Sequence, residues 1–230
     1  GRKSCRKEAS AVNKRNVQKE LDALLEKLPK DKPRRLLLHA CCAPCSSYVL
    51  EYLSQYFSIT LLFYNPNISP QTEYEKRYAE LLRLVKEQPH RFPVSVVPCG
   101  YDPESFFSAV HGMESLPEGG ARCAVCYRMR LEAAARAAKD GGFDYFTTTL
   151  SISPLKDAGK LNAIGAELSG AYGVPYLYSD FKKKEGYKRS IALSREYGLY
   201  RQNYCGCIFS KQEAERREEQ KRYELNSESL

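Results

Sequence analysis

The segment from residue 36 to residue 47 constrains the fold most, because it combines a predicted buried strand, a cysteine-rich turn and the start of a predicted helix. Three consecutive leucines, Leu36 to Leu38, are typical of a strand that is covered on both faces. Pro44 lacks a backbone N–H and suits the first turn of a helix. Thiols therefore lie where a strand ends and a helix begins, which is where ligands bind in an open α/β sheet.

The rest of the chain alternates predicted strands and predicted helices, joined by short connections. This alternation predicts an α/β fold with a doubly wound, mostly parallel sheet and helices on both faces. Five strands are predicted, at residues 34–40, 58–63, 93–98, 143–148 and 174–178. Because crossover connections are right-handed, the carboxyl ends of these strands meet at one edge of the sheet. A single active site is expected at that edge.

The 230-residue chain is long enough for one sizeable core with appendages. Residues 1–33 are predicted to be an N-terminal helical extension, because apolar residues recur at helical spacing over about 14–28. Residues 34–209 are the predicted α/β catalytic domain, and residues 210–230 are a predicted charged helical tail.

The chain carries 36 Lys and Arg against 28 Asp and Glu, which gives a formal net charge of +8. A basic surplus of this size is compatible with nucleic-acid binding without requiring it. No apolar run is long enough to cross a membrane, and no hydrophobic signal segment is present. We therefore expect a cytoplasmic protein without a membrane partner, whose nine cysteines serve metal or redox chemistry rather than disulfides.

Seven of the nine cysteines fall into short-spaced groups, whereas Cys5 and Cys99 stand alone. The groups are Cys41, Cys42 and Cys45; Cys123 and Cys126; and Cys205 and Cys207. Short-spaced thiol pairs are typical of zinc sites, but a tetrahedral zinc ion takes four ligands and this chain offers more. The spacing therefore favours an iron–sulfur cluster and leaves zinc as the alternative.

Polar side chains that follow the predicted strands are candidates for substrate binding, namely Asn65, Thr149 and Ser151. The basic run at 182–189 suits a nucleic-acid backbone, and Tyr187 within it suits a stacked base. Its cations are Lys182, Lys183, Lys184, Lys188 and Arg189. Asp157 and Tyr187 are candidate catalytic proton donors. The alternatives are a solvated charged loop for the run and an ordinary first-turn acid for Asp157.

Five segments, in order along the chain, carry a resemblance to a known family. They lie at 39–45 (HACCAPC), 123–126 (CAVC), 147–154 (TTTLSISP), 179–183 (SDFKK) and 200–207 (YRQNYCGC). Together they resemble the QueH-type epoxyqueuosine reductases over about residues 34–209. A single CxxC pair would be a weak signal, but this ordered set is highly specific.

The resemblance implies a fold related to the nucleotide-hydrolase-like Rossmann group, with a four-iron, four-sulfur cluster and an additional iron ion. It also implies reduction of epoxyqueuosine to queuosine at the wobble position of tRNA, with electrons from an external donor. That reaction is the last step of queuosine biosynthesis. The predicted division of the ligands places Cys42, Cys123 and Cys126 on the cluster, and Cys41, Cys45, Cys205 and Cys207 on the additional iron or as completing the cluster.

Two alternative functions remain open from the sequence. A tRNA-thiolating iron–sulfur enzyme of related fold would need ATP and a glycine-rich phosphate loop after the first strand. This chain has Cys41-Cys42-Ala43-Pro44-Cys45 in that place. A non-catalytic, zinc-stabilised RNA-binding protein would use the thiols for structure alone.

Overall fold

The computed structural model describes residues 16–227, with side chains described as far as residue 224. Cys5 and the start of the helix predicted at 14–28 lie outside the described residues. The elements are α1 (Val17–Glu26), β1 (Arg34–His39), α2 (Ala43–Leu53), β2 (Phe57–Phe63), α3 (Gln71–Glu87), β3 (Val94–Pro98), α4 (Pro103–Ala109), α5 (Ala121–Asp140), β4 (Tyr145–Thr148), a 3-10 helix (Thr149–Ile152), α6 (Ala158–Tyr172), α7 (Gly186–Glu196) and α8 (Ile208–Ser227).

The described strands form one parallel sheet in the order β3-β2-β1-β4. β1 lies at its centre, paired with β2 from Arg34 opposite Phe57 to His39 opposite Leu62, and paired with β4 on its other side. The predicted α/β class with a parallel sheet is confirmed.

The segment at 174–178 is not a strand, so this prediction is wrong. In the described part of the chain, it forms a single isolated parallel bridge, between Tyr176 and Phe146 of β4. Phe146 N donates to Pro175 O, and Leu177 N donates to Phe146 O. Pro175 has no N–H to donate, so the ladder cannot extend through it.

Helices cover both faces of the sheet, and each face has its own apolar core. Leu36 and Leu38 point to the face that is covered by α1, α2 and α3. Leu37 points to the opposite face, where α5 and α6 pack. Successive side chains alternate between the faces of a strand, which explains why all three leucines are buried.

The two ends of the described chain pack differently. Leu21 and Leu25 of α1 join the core, so this helix is docked on the sheet domain. Ala214 of α8 is buried, whereas most of the following residues in that helix are exposed. The predicted domain boundaries stay a prediction. None of the described helices is long and apolar enough to cross a membrane.

Candidate metal centre

Cys41, Cys42 and Cys45 form the first thiol group, in the turn between β1 and α2. Their three Sγ atoms lie within 4.8 Å of one another, and 3.9 Å separates the Sγ atoms of Cys41 and Cys42. Two sulfur ligands at about 2.3 Å from one ion lie within about 4.6 Å of each other. The first thiol group is therefore already close to the spacing that one metal ion requires.

The thiols of this group differ in acidity. Hydrogen bonds from the thiols of Cys42 and Cys45 hold the pKa of Cys41 well below its ordinary value. The contact with Cys41 raises the pKa of Cys42 to about 12, and it raises the pKa of Cys45 well above its ordinary value. In the metal-free protein one thiolate is therefore stabilised by two neighbouring thiols.

Cys123, Cys126, Cys205 and Cys207 form the second thiol group, where the start of α5 meets the segment before α8. They line one small cavity of about 10 Å³. Gly119 N donates to Cys123 Sγ at 3.2 Å, and Ser210 N donates to Cys207 Sγ at 3.4 Å. Burial raises the pKa of Cys126 to about 12. Two segments that are distant in sequence thus converge.

Cys205 connects the two thiol groups. It lines the small cavity of the second group, and it also lines a cavity of about 300 Å³, the larger of these two, together with all three members of the first group. In the fold, Cys42 lies with Cys41 and Cys45. The predicted division instead placed Cys42 with Cys123 and Cys126 as ligands of the cluster. The predicted ligand division stays a prediction.

Three buried arginines around the thiols were not identified from the sequence. Arg77, Arg122 and Arg130 are each no more than 2% exposed. Each retains one buried guanidinium nitrogen without a hydrogen-bond partner in the described structure. A buried cation with a spare donor needs an anion nearby, so this environment fits a negatively charged group held by thiolates.

Two of these arginines are tied directly to the backbone of the thiol segments. Arg77 Nη1 donates to Cys205 O at 2.9 Å, and Arg130 Nε donates to Cys126 O at 3.3 Å. The i, i+4 spacing of Cys126 and Arg130 is the one sequence feature that indicates an arginine beside a thiol, because residues at this spacing share a helix face.

His39 links the ends of three strands beneath the thiols. Its Nε2 donates to Tyr64 O, after β2, at 3.0 Å, and its Nδ1 accepts from the Thr148 hydroxyl of β4 at 2.9 Å. Burial, assisted by the charge of Arg130, lowers the pKa of His39 to about 4. The imidazole is therefore neutral near pH 7 and acts as a structural link.

The predicted substrate-binding residues Asn65, Thr149 and Ser151 are each no more than 1% exposed. Asn65 Nδ2 donates to the carbonyl of the residue after β1 at 2.8 Å. Thr149 Oγ1 accepts from Cys41 N at 3.3 Å, and Ser151 Oγ accepts from Phe181 N at 3.4 Å. The bonds of Asn65 and Thr149 fix the turn that carries the first thiol group, and the bond of Ser151 joins the 3-10 helix to the segment after residue 178. Substrate contact by the three side chains stays a prediction.

Most cations of the 182–189 run are paired with carboxylates of the protein itself. Lys183 is exposed and has no such pair in the described structure. The pairs are Lys182 with Asp180 at 2.9 Å, Lys184 with Asp22, Lys188 with Glu185 at 3.1 Å, and Arg189 with Glu51. Their role in tRNA binding stays a prediction.

The two predicted proton donors lie in different places. Tyr187 lines the larger cavity beside the first thiol group. Asp157 is the N-cap of α6, where its Oδ1 accepts from Lys160 N at 3.1 Å, and it borders a separate cavity. Its neighbour Lys156, which was not among the predicted site residues, lines both cavities.

Comparison with known proteins gives consistent matches. A family model described as "Epoxyqueuosine reductase QueH" matches residues 36–213, a range that contains all seven grouped cysteines. Several curated relatives carry the same name. The relative from Staphylococcus epidermidis is 42% identical over 200 residues, which cover 85% of this chain and 84% of the relative.

The relative from Streptococcus pyogenes serotype M1 is 44% identical over 177 residues, which cover 76% of this chain and 69% of the relative. The relative from Haemophilus influenzae is 38% identical over 230 residues, which cover 95% of this chain and 92% of the relative. The chain therefore belongs to the epoxyqueuosine reductase QueH family, a family of oxidoreductases.

Proposed function

We propose that this protein reduces epoxyqueuosine in tRNA to queuosine, the last step of queuosine biosynthesis. It uses a four-iron, four-sulfur cluster and an additional iron ion, held by the seven grouped cysteines. The observation that carries the proposal is the position of Cys205, which joins the two thiol groups at a cavity large enough for a base. Family membership supports the choice of substrate.

The bound metal groups supply one-electron transfer and Lewis acidity. The chain itself supplies the pocket, whose volume of about 300 Å³ lies at the small end of ligand sites. Tyr187 and Tyr204 are in its wall and offer aromatic faces for a base that is splayed out of the tRNA. The buried arginines offset the negative charge of the thiolates.

The proposed partners are tRNA with epoxyqueuosine at the wobble position and an external electron donor, in the cytoplasm. Lys183 is available to bind an RNA phosphate directly. Lys184, Lys188 and Arg189 would exchange their carboxylate partners for phosphates, whereas Lys182 is mostly buried and stays paired with Asp180. Exposed ion pairs contribute only about 0–1 kcal/mol each, so this exchange costs little.

A tRNA-thiolating enzyme is less favoured. The turn after β1 has Cys42 as the N-cap of α2 and a proline in the first turn of that helix. A phosphate cradle needs successive free backbone N–H groups at such a helix start, and proline provides none.

The test starts with anaerobically purified protein and measures iron, zinc and acid-labile sulfide together with the visible spectrum. We expect about four sulfides and more than about four irons per chain. The protein is then given a chemical reductant and tRNA that contains epoxyqueuosine, and the modified nucleoside is identified by mass spectrometry. One zinc and no sulfide after reconstitution with iron would overturn the proposal, and ATP-dependent sulfur insertion would replace it with thiolation.

A further inference from the structure

Lys156 lies in the wall of the larger cavity, beside the first thiol group and Cys205. A lysine side chain carries its proton near pH 7, because its ordinary pKa is about 10.4. The cavity wall beside the thiols therefore contains an ammonium group that can donate to a ligand.

The backbone around Lys156 is held in a defined turn between the 3-10 helix and α6. Lys156 N donates to Ser153 O at 3.1 Å. Lys182 Nζ donates to Ser151 O at 3.0 Å and to Lys156 O at 3.3 Å, and it pairs with Asp180 at 2.9 Å. Lys182 thus fixes the turn that places Lys156 in the cavity wall.

The ammonium group of Lys156 has no carboxylate partner among residues 16–227. Arg77, in the same cavity wall, is already paired with Glu73 at 2.7 Å. Asp157 is engaged in capping α6 at the separate cavity. Arg77 keeps a spare Nη2 donor, but a guanidinium does not release its proton readily. Of these three groups, Lys156 is therefore the one that can both donate to a ligand in the larger cavity and pass it a proton.

We propose that Lys156 is a catalytic residue whose Nζ donates a hydrogen bond to the epoxide oxygen of the substrate and passes it a proton as the oxygen leaves. This proposal rests on the proposed function. An ammonium at this point also stabilises the negative charge that develops on the departing oxygen.

The reaction balances with one proton from this residue. Conversion of the epoxide to an alkene breaks two C–O bonds, forms a C=C bond, consumes two electrons and two protons, and releases one water. Two one-electron equivalents come from the external donor, one proton comes from Lys156, and the other comes from solvent. Solvent then returns a proton to Lys156.

The test compares Lys156→Met, Lys156→Arg and a control, Lys86→Met, in protein loaded with iron and sulfide. Lys86 is exposed in the last turn of α3 and lines none of the cavities described above. We expect Lys156→Met to keep the iron and sulfide content of the wild type. Its kcat falls by at least about 100-fold with a change in KM below about tenfold, since general acids contribute about 100- to 10,000-fold. Lys86→Met keeps wild-type kcat.

A second readout needs no turnover. Without a reductant, the wild type should bind tRNA that contains epoxyqueuosine at least about tenfold more tightly than tRNA that contains queuosine, because a charged donor meets the epoxide oxygen. Lys156→Met should lose this preference. Lys156→Arg should keep the preference but not kcat, because a guanidinium does not release its proton readily.

Three results decide between the proposals. Lys156→Met with wild-type kcat and wild-type binding preference overturns the role of Lys156. Loss of iron and sulfide in Lys156→Met also overturns it, because the side chain would then hold the metal site together. A wild-type protein that leaves the epoxide intact under reducing conditions overturns the proposed function itself.

Discussion

The first and second thiol groups reach their geometry by different routes. The first lies within one turn, between the end of β1 and the start of α2, where three Sγ atoms come within 4.8 Å of one another. The second draws Cys123 and Cys126 from α5, and Cys205 and Cys207 from the segment before α8. The first group therefore depends on local backbone geometry, whereas the second depends on how two distant segments pack.

The packing that assembles the second group uses long-range polar contacts. Arg122, next to Cys123, pairs with Glu213 of α8 at 3.1 Å. Arg77 of α3 donates to Cys205 O at 2.9 Å. Arg77 also lines the cavity of the first group, so a change there reaches both groups, whereas the pair of Arg122 with Glu213 lies beside the second group.

The largest effect is expected for Cys42→Ala, which removes one thiol from the preformed first group. Turnover should fall by more than about 100-fold, because even loss of an outer partner of a metal ligand costs about 10- to 100-fold. Iron and sulfide content should fall with it. The control is Cys99→Ala, a lone thiol outside both groups. Full iron, sulfide and turnover in Cys42→Ala would contradict the role of the first group.

Arg130→Met tests whether the buried guanidinium of Arg130 stabilises both thiol groups. Burial would lower the pKa of Arg130, but the thiols of Cys126, Cys205 and Cys41 raise it overall, so the guanidinium interacts with members of both groups. We expect iron affinity, measured by chelator competition, to fall by about 10- to 100-fold. The free energy of unfolding of the metal-free protein should not fall, because an under-satisfied buried cation has been removed.

The matched control for that variant is Arg128→Met. Arg128 lies on the same helix, but it is about half exposed and pairs with Glu167 at the surface. It should keep wild-type iron affinity. If Arg130→Met instead destabilises the metal-free chain by more than about 1 kcal/mol, its role is structural packing and hydrogen bonding.

A smaller effect, confined to the second group, is expected for Gly206→Ala. Gly206 has φ of +126°, and an added Cβ would lie 3.0 Å from Arg77 Nη1 and from Ile68 Cγ1. The strain should lower the free energy of unfolding by about 1–3 kcal/mol in a urea titration. Gly170→Ala in α6 meets open space and should raise the same free energy by about 0.5–1 kcal/mol. Equal stability of Gly206→Ala and wild type would show that the backbone there is free to relax.

Periodicity and turn residues predicted most of the fold. Leu36 to Leu38 indicated a central buried strand, and α6 ends at Gly173, which has φ of +71°. The fifth strand was overpredicted because its apolar pattern is suitable, while the missing N–H of Pro175 limits it to one bridge. The hydrophobic pattern of a segment indicates which side chains prefer burial. Backbone hydrogen bonds to a distant segment decide whether it becomes a strand of the sheet.

The sequence by itself determined the chemistry of the site, because thiol spacing and the strand-to-helix turn are local properties of the chain. Only the tertiary structure decided which groups meet. It joined the thiol groups at Cys205, buried Arg77, Arg122 and Arg130 around them, and placed Lys156 rather than Asp157 at the cavity. These outcomes depend on contacts between residues far apart in sequence, for which local pattern carries no signal.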